Sequence, residues 1–82
     1  MNLPASILLF GIARDLTGQS VLTVPLPAGA RVSDLLQLVN QQYPDLGRIR
    51  AMMVAVNGAY AEADQVLNQT DEIALIPPVS GG

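Results

Sequence analysis

A chain of 82 residues, half of them hydrophobic, has room for one domain and enough apolar side chains to give it a core. Its net charge of −3, carried against only four basic residues, with two Tyr, one Phe and no Trp, leaves neither a basic stripe nor a stacking platform, so nucleic acid is not an expected partner. With no Cys, His or Lys, the sequence also excludes disulfides, persulfides, thiolate or imidazole metal sites, imidazole bases and Schiff bases; carboxylates, hydroxyls and the chain's own ends remain.

The opening stretch, MNLPASILLFG, is apolar but has neither a basic leading segment nor a small-residue cleavage site. It reads as a strand, Ser6 to Phe10, bounded by Gly11. No apolar run approaches the roughly 20 residues of a membrane helix, so a cytoplasmic location without a membrane partner is expected. Ile12 to Gly18 has the character of a turn and short helix ending on a glycine that can take positive φ. So brief a connection favours an antiparallel return. Ser20 to Leu26 is the second strand, with Val21, Thr23 and Pro25 on one face and Leu22, Val24 and Leu26 on the other; Pro25 cannot donate to a ladder and belongs at a strand end or an edge.

After the loop PAGAR, VSDLLQLVNQQYP repeats Leu35, Leu36, Val39 and Tyr43 at helical spacing, with Ser33 as N-cap, Asp34 in the first turn and Pro44 as the stop. Ala51 to Val56, apolar on both faces, suits a central, covered strand. Asn57-Gly58 is the strongest short turn signal in the chain. Tyr60 and Ala61 then form a short edge strand, Val66 and Leu67 anchor a turn onto the core, and Glu72 to Ile76 is the last strand. The seven acidic residues fall in turns and element ends, where solvation accounts for them.

The order is strand, strand, helix, strand, short strand, strand. Its one crossover is the helix that follows a hairpin, which lets the first and last strands lie side by side. The expected class is therefore α+β, a β-grasp (ubiquitin-like) arrangement: a mixed sheet of four to five strands with one main helix packed on one face. A ferredoxin-like order would need a second full helix, which EADQVLNQ is too short to supply. Residues 1–76 would form this domain and residues 77–82 an extended tail. A single helix covers one sheet face, and Phe10, Ile76 and Tyr60 are read at the opposite parity from the core residues Leu9, Leu75 and Ile73. Either they form an outward apolar docking surface, or loops cover them, or the register is shifted by one.

The tail, IPPVSGG, runs straight out of the last strand. Pro77 and Pro78 favour a stiff extended path, so Pro77 to Gly82 can reach about 20 Å, and Gly81 and Gly82 add no lateral bulk. A frayed end would have this composition too. A slender tip that lets an enzyme reach a terminal carboxylate through a narrow channel would need it.

LLFGIARDLTG at the start, VSDLLQLV in the helix, VAVNG in the middle and DEIALIPPVSGG at the end resemble the small subunits of molybdopterin synthase, within the ubiquitin-like sulfur carriers. The last segment is the most specific, because the related thiamine-pathway carriers share Gly-Gly but generally lack the Pro-Pro-Val lead-in. The resemblance implies that an adenylating enzyme activates the Gly82 carboxylate with ATP, that sulfur then makes it a thiocarboxylate, and that the large synthase subunit uses it to build the dithiolene of molybdopterin from cyclic pyranopterin monophosphate. It implies a chain that is inactive alone and binds no cofactor, ATP and any Zn being handled by the activating enzyme. It also implies a sulfur donor such as a cysteine desulfurase or rhodanese-like protein, and a heterotetramer of two small and two large subunits. Pro77, Pro78, Val79, Ser80 and Gly81 match the inserted arm. Phe10, Tyr60 and Ile76 match apolar partner contacts, and Arg14 a basic position on the same surface. Two alternatives remain open: a ubiquitin-like modifier joined through Gly82 to lysines of other proteins, and a carrier for thiamine or another thio-cofactor.

Overall fold

The computed structural model describes residues 2–49, 51–68 and 70–78. Its order is β1 (Asn2–Leu9), α1 (Gly11–Thr17), β2 (Val21–Pro27), α2 (Val32–Gln42), a 3₁₀ turn (Leu46–Arg48), β3 (Met53–Val56), β4 (Ala59–Tyr60) and β5 (Ile73–Ile76). The sheet runs β2-β1-β5-β3-β4, with β1 and β5 parallel at its centre and the other neighbours antiparallel. This is the mixed β-grasp sheet expected from the sequence, with the first and last strands side by side.

Strict alternation sets which face is covered. Ala5, Ile7 and Leu9, Leu22, Val24 and Leu26, Val54 and Val56, and Ile73 and Leu75 all point into the core, where they meet Val32, Leu35 and Val39 of α2. Ile7, Val24, Leu35 and Leu75 are completely buried, and each such side chain is worth about 1.5–3 kcal/mol of transfer free energy.

Several boundaries differ from the sequence reading. The first strand begins at Asn2 rather than Ser6 and ends at Leu9, because Pro4 does not break it: Pro4 pairs with Pro25. Neither has an N–H, so the pair is a non-hydrogen-bonded one, and by alternation Val21, Thr23, Pro25 and Pro27 turn their backbone groups toward the sheet's outer edge. Two of those four positions are prolines, which blunts the edge against strand addition. The third strand starts at Met53, not Ala51, because Ala51 has φ 57° and cannot continue a strand. As expected, β3 is an interior strand, paired with β5 and β4, with Val54, Ala55 and Val56 buried; Met53 stays 42% exposed. The edge strand is Ala59–Tyr60, displaced by one residue because Asn57 and Gly58, both at positive φ, complete the hairpin turn in two residues. Of the expected anchors Val66 and Leu67, only Leu67 is buried; Val66 is exposed and makes a backbone bridge to Arg31.

The N-cap of α2 is Arg31, not Ser33. The first free amides of the helix are satisfied from the loop that crosses it: Val32 N–H donates to the Gln65 carbonyl at 3.0 Å and Ser33 N–H to the Ala63 carbonyl at 2.9 Å. With the loop supplying acceptors, no side-chain cap is needed at Ser33. Asp34 does sit in the first turn as expected, and accepts the Arg31 N–H at 2.9 Å.

Candidate functional site

On the sheet face that α2 leaves bare, alternation collects the side chains of opposite parity. Phe10, Tyr60 and Ile76 come together there with Leu8, Ala55, Gly58, Glu72 and Ala74 around a shallow depression of about 310 Å³. Phe10 and Tyr60 are 47% and 66% exposed, and Ile76 is half-buried, while Leu9, Ile73 and Leu75 are in the core. The register is therefore the one the alternation predicts, and among the described residues no loop covers this apolar patch. Arg14 lies exposed on α1 and does not line the depression.

β5 leads directly from this face into the tail. Pro77 is buried and Pro78 exposed; Val79, Ser80, Gly81 and Gly82, the rest of the expected arm and its reactive tip, lie outside the described residues. The root of the tail is held by α1. Gly11 opens that helix at φ +55°, and a Cβ placed there would sit 3.3 Å from Pro77 Cγ. Pro78 lines a second apolar hollow of about 390 Å³ with Ile12, Leu16, Ile49, Asp45 and Arg48. The sequence reading missed both contacts. Ile12 and Leu16, one helical turn apart and both exposed, were the available signal for the hollow; nothing local marks Gly11 as a neighbour of Pro77. Gly11→Ala combines positive φ with a close contact, and should lower stability by about 1–2 kcal/mol in urea denaturation.

A polar staple borders the apolar depression. Asn57 Nδ2 donates to Asp71 Oδ1 at 2.9 Å, Asn57 Oδ1 accepts the Glu72 N–H at 2.9 Å, and Asp71 Oδ2 accepts the Asn68 N–H at 2.8 Å. The Asn68 amide, and then the Asn57 side chain, hold the Asp71 carboxyl below its ordinary value of 3.8. A depressed carboxyl stabilises the fold above its unfolded value and loses that contribution as pH falls through the folded one. Acidification below about pH 4 is thus expected to loosen the 68–72 turn, read as faster amide exchange at Asn68, while a protein carrying Asp71→Asn shows no such step. Among the described residues, no group of three His, Cys, Asp or Glu could hold a metal ion, and no helix is long and apolar enough to cross a membrane.

The sequence pattern of the ThiS family matches residues 7–82. A molybdopterin synthase sulfur carrier subunit of Arabidopsis thaliana is 38% identical over 77 residues, covering 93% of this chain and 80% of the plant protein. The chain belongs to the ThiS family, with the molybdopterin synthase sulfur carrier subunits. Solved structures agree on the fold of this ThiS-family chain. SAMP1 of Haloferax volcanii superposes with a TM-score of 0.85 at 28% identity, covering 98% of this chain and all of that one. A putative molybdopterin converting factor subunit 1 of Pyrococcus furiosus gives 0.83 at 27% identity, covering 94% and 99%. Both superpositions span at least 94% of this chain, so the two proteins share the β-grasp described above.

Proposed function

We propose that this ThiS-family chain is the sulfur carrier subunit of a molybdopterin synthase, with residues 1–76 as the docking domain and residues 77–82 as the reactive arm. The carboxylate of Gly82 attacks the α-phosphorus of ATP in an adenylating enzyme, pyrophosphate leaves, and the acyl-adenylate forms. A sulfur donor at the sulfide level then displaces AMP and leaves a thiocarboxylate. In the large subunit this soft nucleophile attacks cyclic pyranopterin monophosphate, and water releases the arm as a carboxylate ready for reloading. With no Cys anywhere in the chain, sulfur cannot be carried as a persulfide, so the C-terminus is the site that remains.

The observation that carries the reading is the juxtaposition at the end of β5. An uncovered apolar depression built by Phe10, Tyr60 and Ile76 adjoins the strand that runs into Pro77 and Pro78, so a partner gripping the face is placed to receive the arm. Phe10, Tyr60 and Ile76 are its anchors to the large subunit and the adenylating enzyme, with Arg14 as a polar contact at the rim of that interface.

The test is the intact mass of the chain after incubation with ATP, an adenylating enzyme and a sulfur donor. Conversion of one oxygen to sulfur, confined to the C-terminal peptide, is the expected result. A second reading, a modifier joined by an amide bond to lysines of other proteins, is favoured by the likeness to SAMP1, which is a small archaeal modifier protein. Stable amide adducts with no gain of sulfur would decide for it.

A further inference from the structure

The Asn57-Gly58 turn is chemically the most labile dipeptide in the chain; Gly58 lines the rim of the apolar depression, and the Asn57 side chain has no part in the function proposed above. Gly58 has no side chain to shield its backbone nitrogen, and both residues are at positive φ, 54° and 83°. That nitrogen can attack Asn57 Cγ: a C–N bond forms, Nδ2 leaves as ammonia, and water then opens the cyclic imide to aspartate or isoaspartate. The attack requires Asn57 Cγ to swing onto the Gly58 nitrogen. In the fold its amide is tethered the other way, Nδ2 to Asp71 Oδ1 and Oδ1 to the Glu72 N–H, each at 2.9 Å. Both bonds must break before the imide can close.

We propose that Asn57 is a deamidation site held dormant by Asp71, and that its conversion releases the β3–β4 hairpin from the turn before β5. The product has no Nδ2 donor and places a second carboxylate against that of Asp71, turning a charge-assisted bond into a like-charge contact. Two ties then remain at that end of the hairpin, the Asn57 N–H to the Glu72 carbonyl at 2.8 Å and the Glu72 N–H to the side-chain oxygen at position 57, and the link to Asp71 is the one lost. Tyr60 lies three residues beyond Asn57, so its hold on the docking depression loosens too. That last consequence rests on the function proposed above; the modification itself does not.

The test follows aspartate and isoaspartate at position 57 by peptide mass mapping during incubation in warm, mildly alkaline buffer. The folded chain, the chain in denaturant and the Asp71→Ala variant are compared. Folded wild type should convert at least about tenfold more slowly than the denatured chain, and Asp71→Ala should recover most of that factor, which is what one charge-assisted hydrogen bond supplies. Equal rates for folded wild type and denatured chain would overturn the proposal, as would a folded Asp71→Ala that converts no faster than wild type. Should Asp71→Ala fail to fold, Asn57→Asp gives an independent reading. Amide exchange at position 57 should quicken by about tenfold with the remaining sheet protected, and unchanged exchange there would sink the idea.

Discussion

Deletion of Gly82 is expected to lower thiocarboxylate formation, and with it sulfur transfer to the pterin, by at least about 100-fold. Removing one residue shortens the reach of the chain by up to about 3.5 Å, and misplacement of a reacting atom by a single ångström already costs about that factor. Because the core cluster among the described residues ends at Leu75 and the last buried residue described is Pro77, the urea midpoint should stay unchanged and affinity for the large subunit should fall only slightly. Intact-mass analysis of the loaded carrier reads the first effect; denaturation and titration calorimetry read the other two. A truncated chain that still supports molybdopterin formation at the wild-type rate would remove Gly82 from the chemistry.

Two neighbours on β5 should fail in opposite ways. Leu75 has no exposed surface, and Leu75→Ala is expected to cost about 3–4 kcal/mol, from lost transfer energy and the cavity left behind. In a domain of this size that is a large share of the total stability, roughly 5 kcal/mol, and the thermal transition should drop steeply. Ile76, one residue on, points to the bare face beside Phe10 and Tyr60. Ile76→Asp should leave the fold within about 1 kcal/mol of wild type. Affinity for the large subunit should instead fall by about 2 kcal/mol, some 30-fold, because a carboxylate is driven into an apolar contact without a partner. Phe10→Ala should follow Ile76→Asp. If Ile76→Asp proves as destabilising as Leu75→Ala with binding intact, the bare face is part of the fold and not a docking surface.

The contrast between these two residues was legible before any coordinates because a strand has a period of two. Given Ile73 and Leu75 on one face, Ile76 had to take the other, and the same alternation in β2 set Leu22, Val24 and Leu26 against Val21, Thr23 and Pro25. The helix α2 was equally readable from Leu35, Val39 and the stop at Pro44, and Asn57-Gly58 named its own turn. What alternation and period cannot supply is a partner distant in sequence. Ser33 looked like the cap of α2 because Ser is a good cap; the loop carbonyls of Ala63 and Gln65 that replaced it lie some thirty residues away. The first strand reads from Ser6 in the sequence, and only the pairing of Asn2 to Ala5 with Val24 to Pro27, which sets Pro4 opposite Pro25, carries it back to Asn2.

By itself, then, the sequence determined the class of fold, the faces of its strands, and the chemistry open to it: without Cys, His or Lys, carboxylates, hydroxyls and the chain's own ends were left. These follow from local period and from side-chain inventory, which need no folding to evaluate. The tertiary structure decided which elements meet. It gathered Phe10, Tyr60 and Ile76, fifty and sixteen residues apart, around one depression, set Gly11 beneath Pro77 at the root of the arm, and tied Asn57 to Asp71 and Glu72. Those juxtapositions depend on the parallel pairing of β1 with β5 and the return of β3 beside it. The gain from such long-range contacts appears only once the whole sheet has closed over α2.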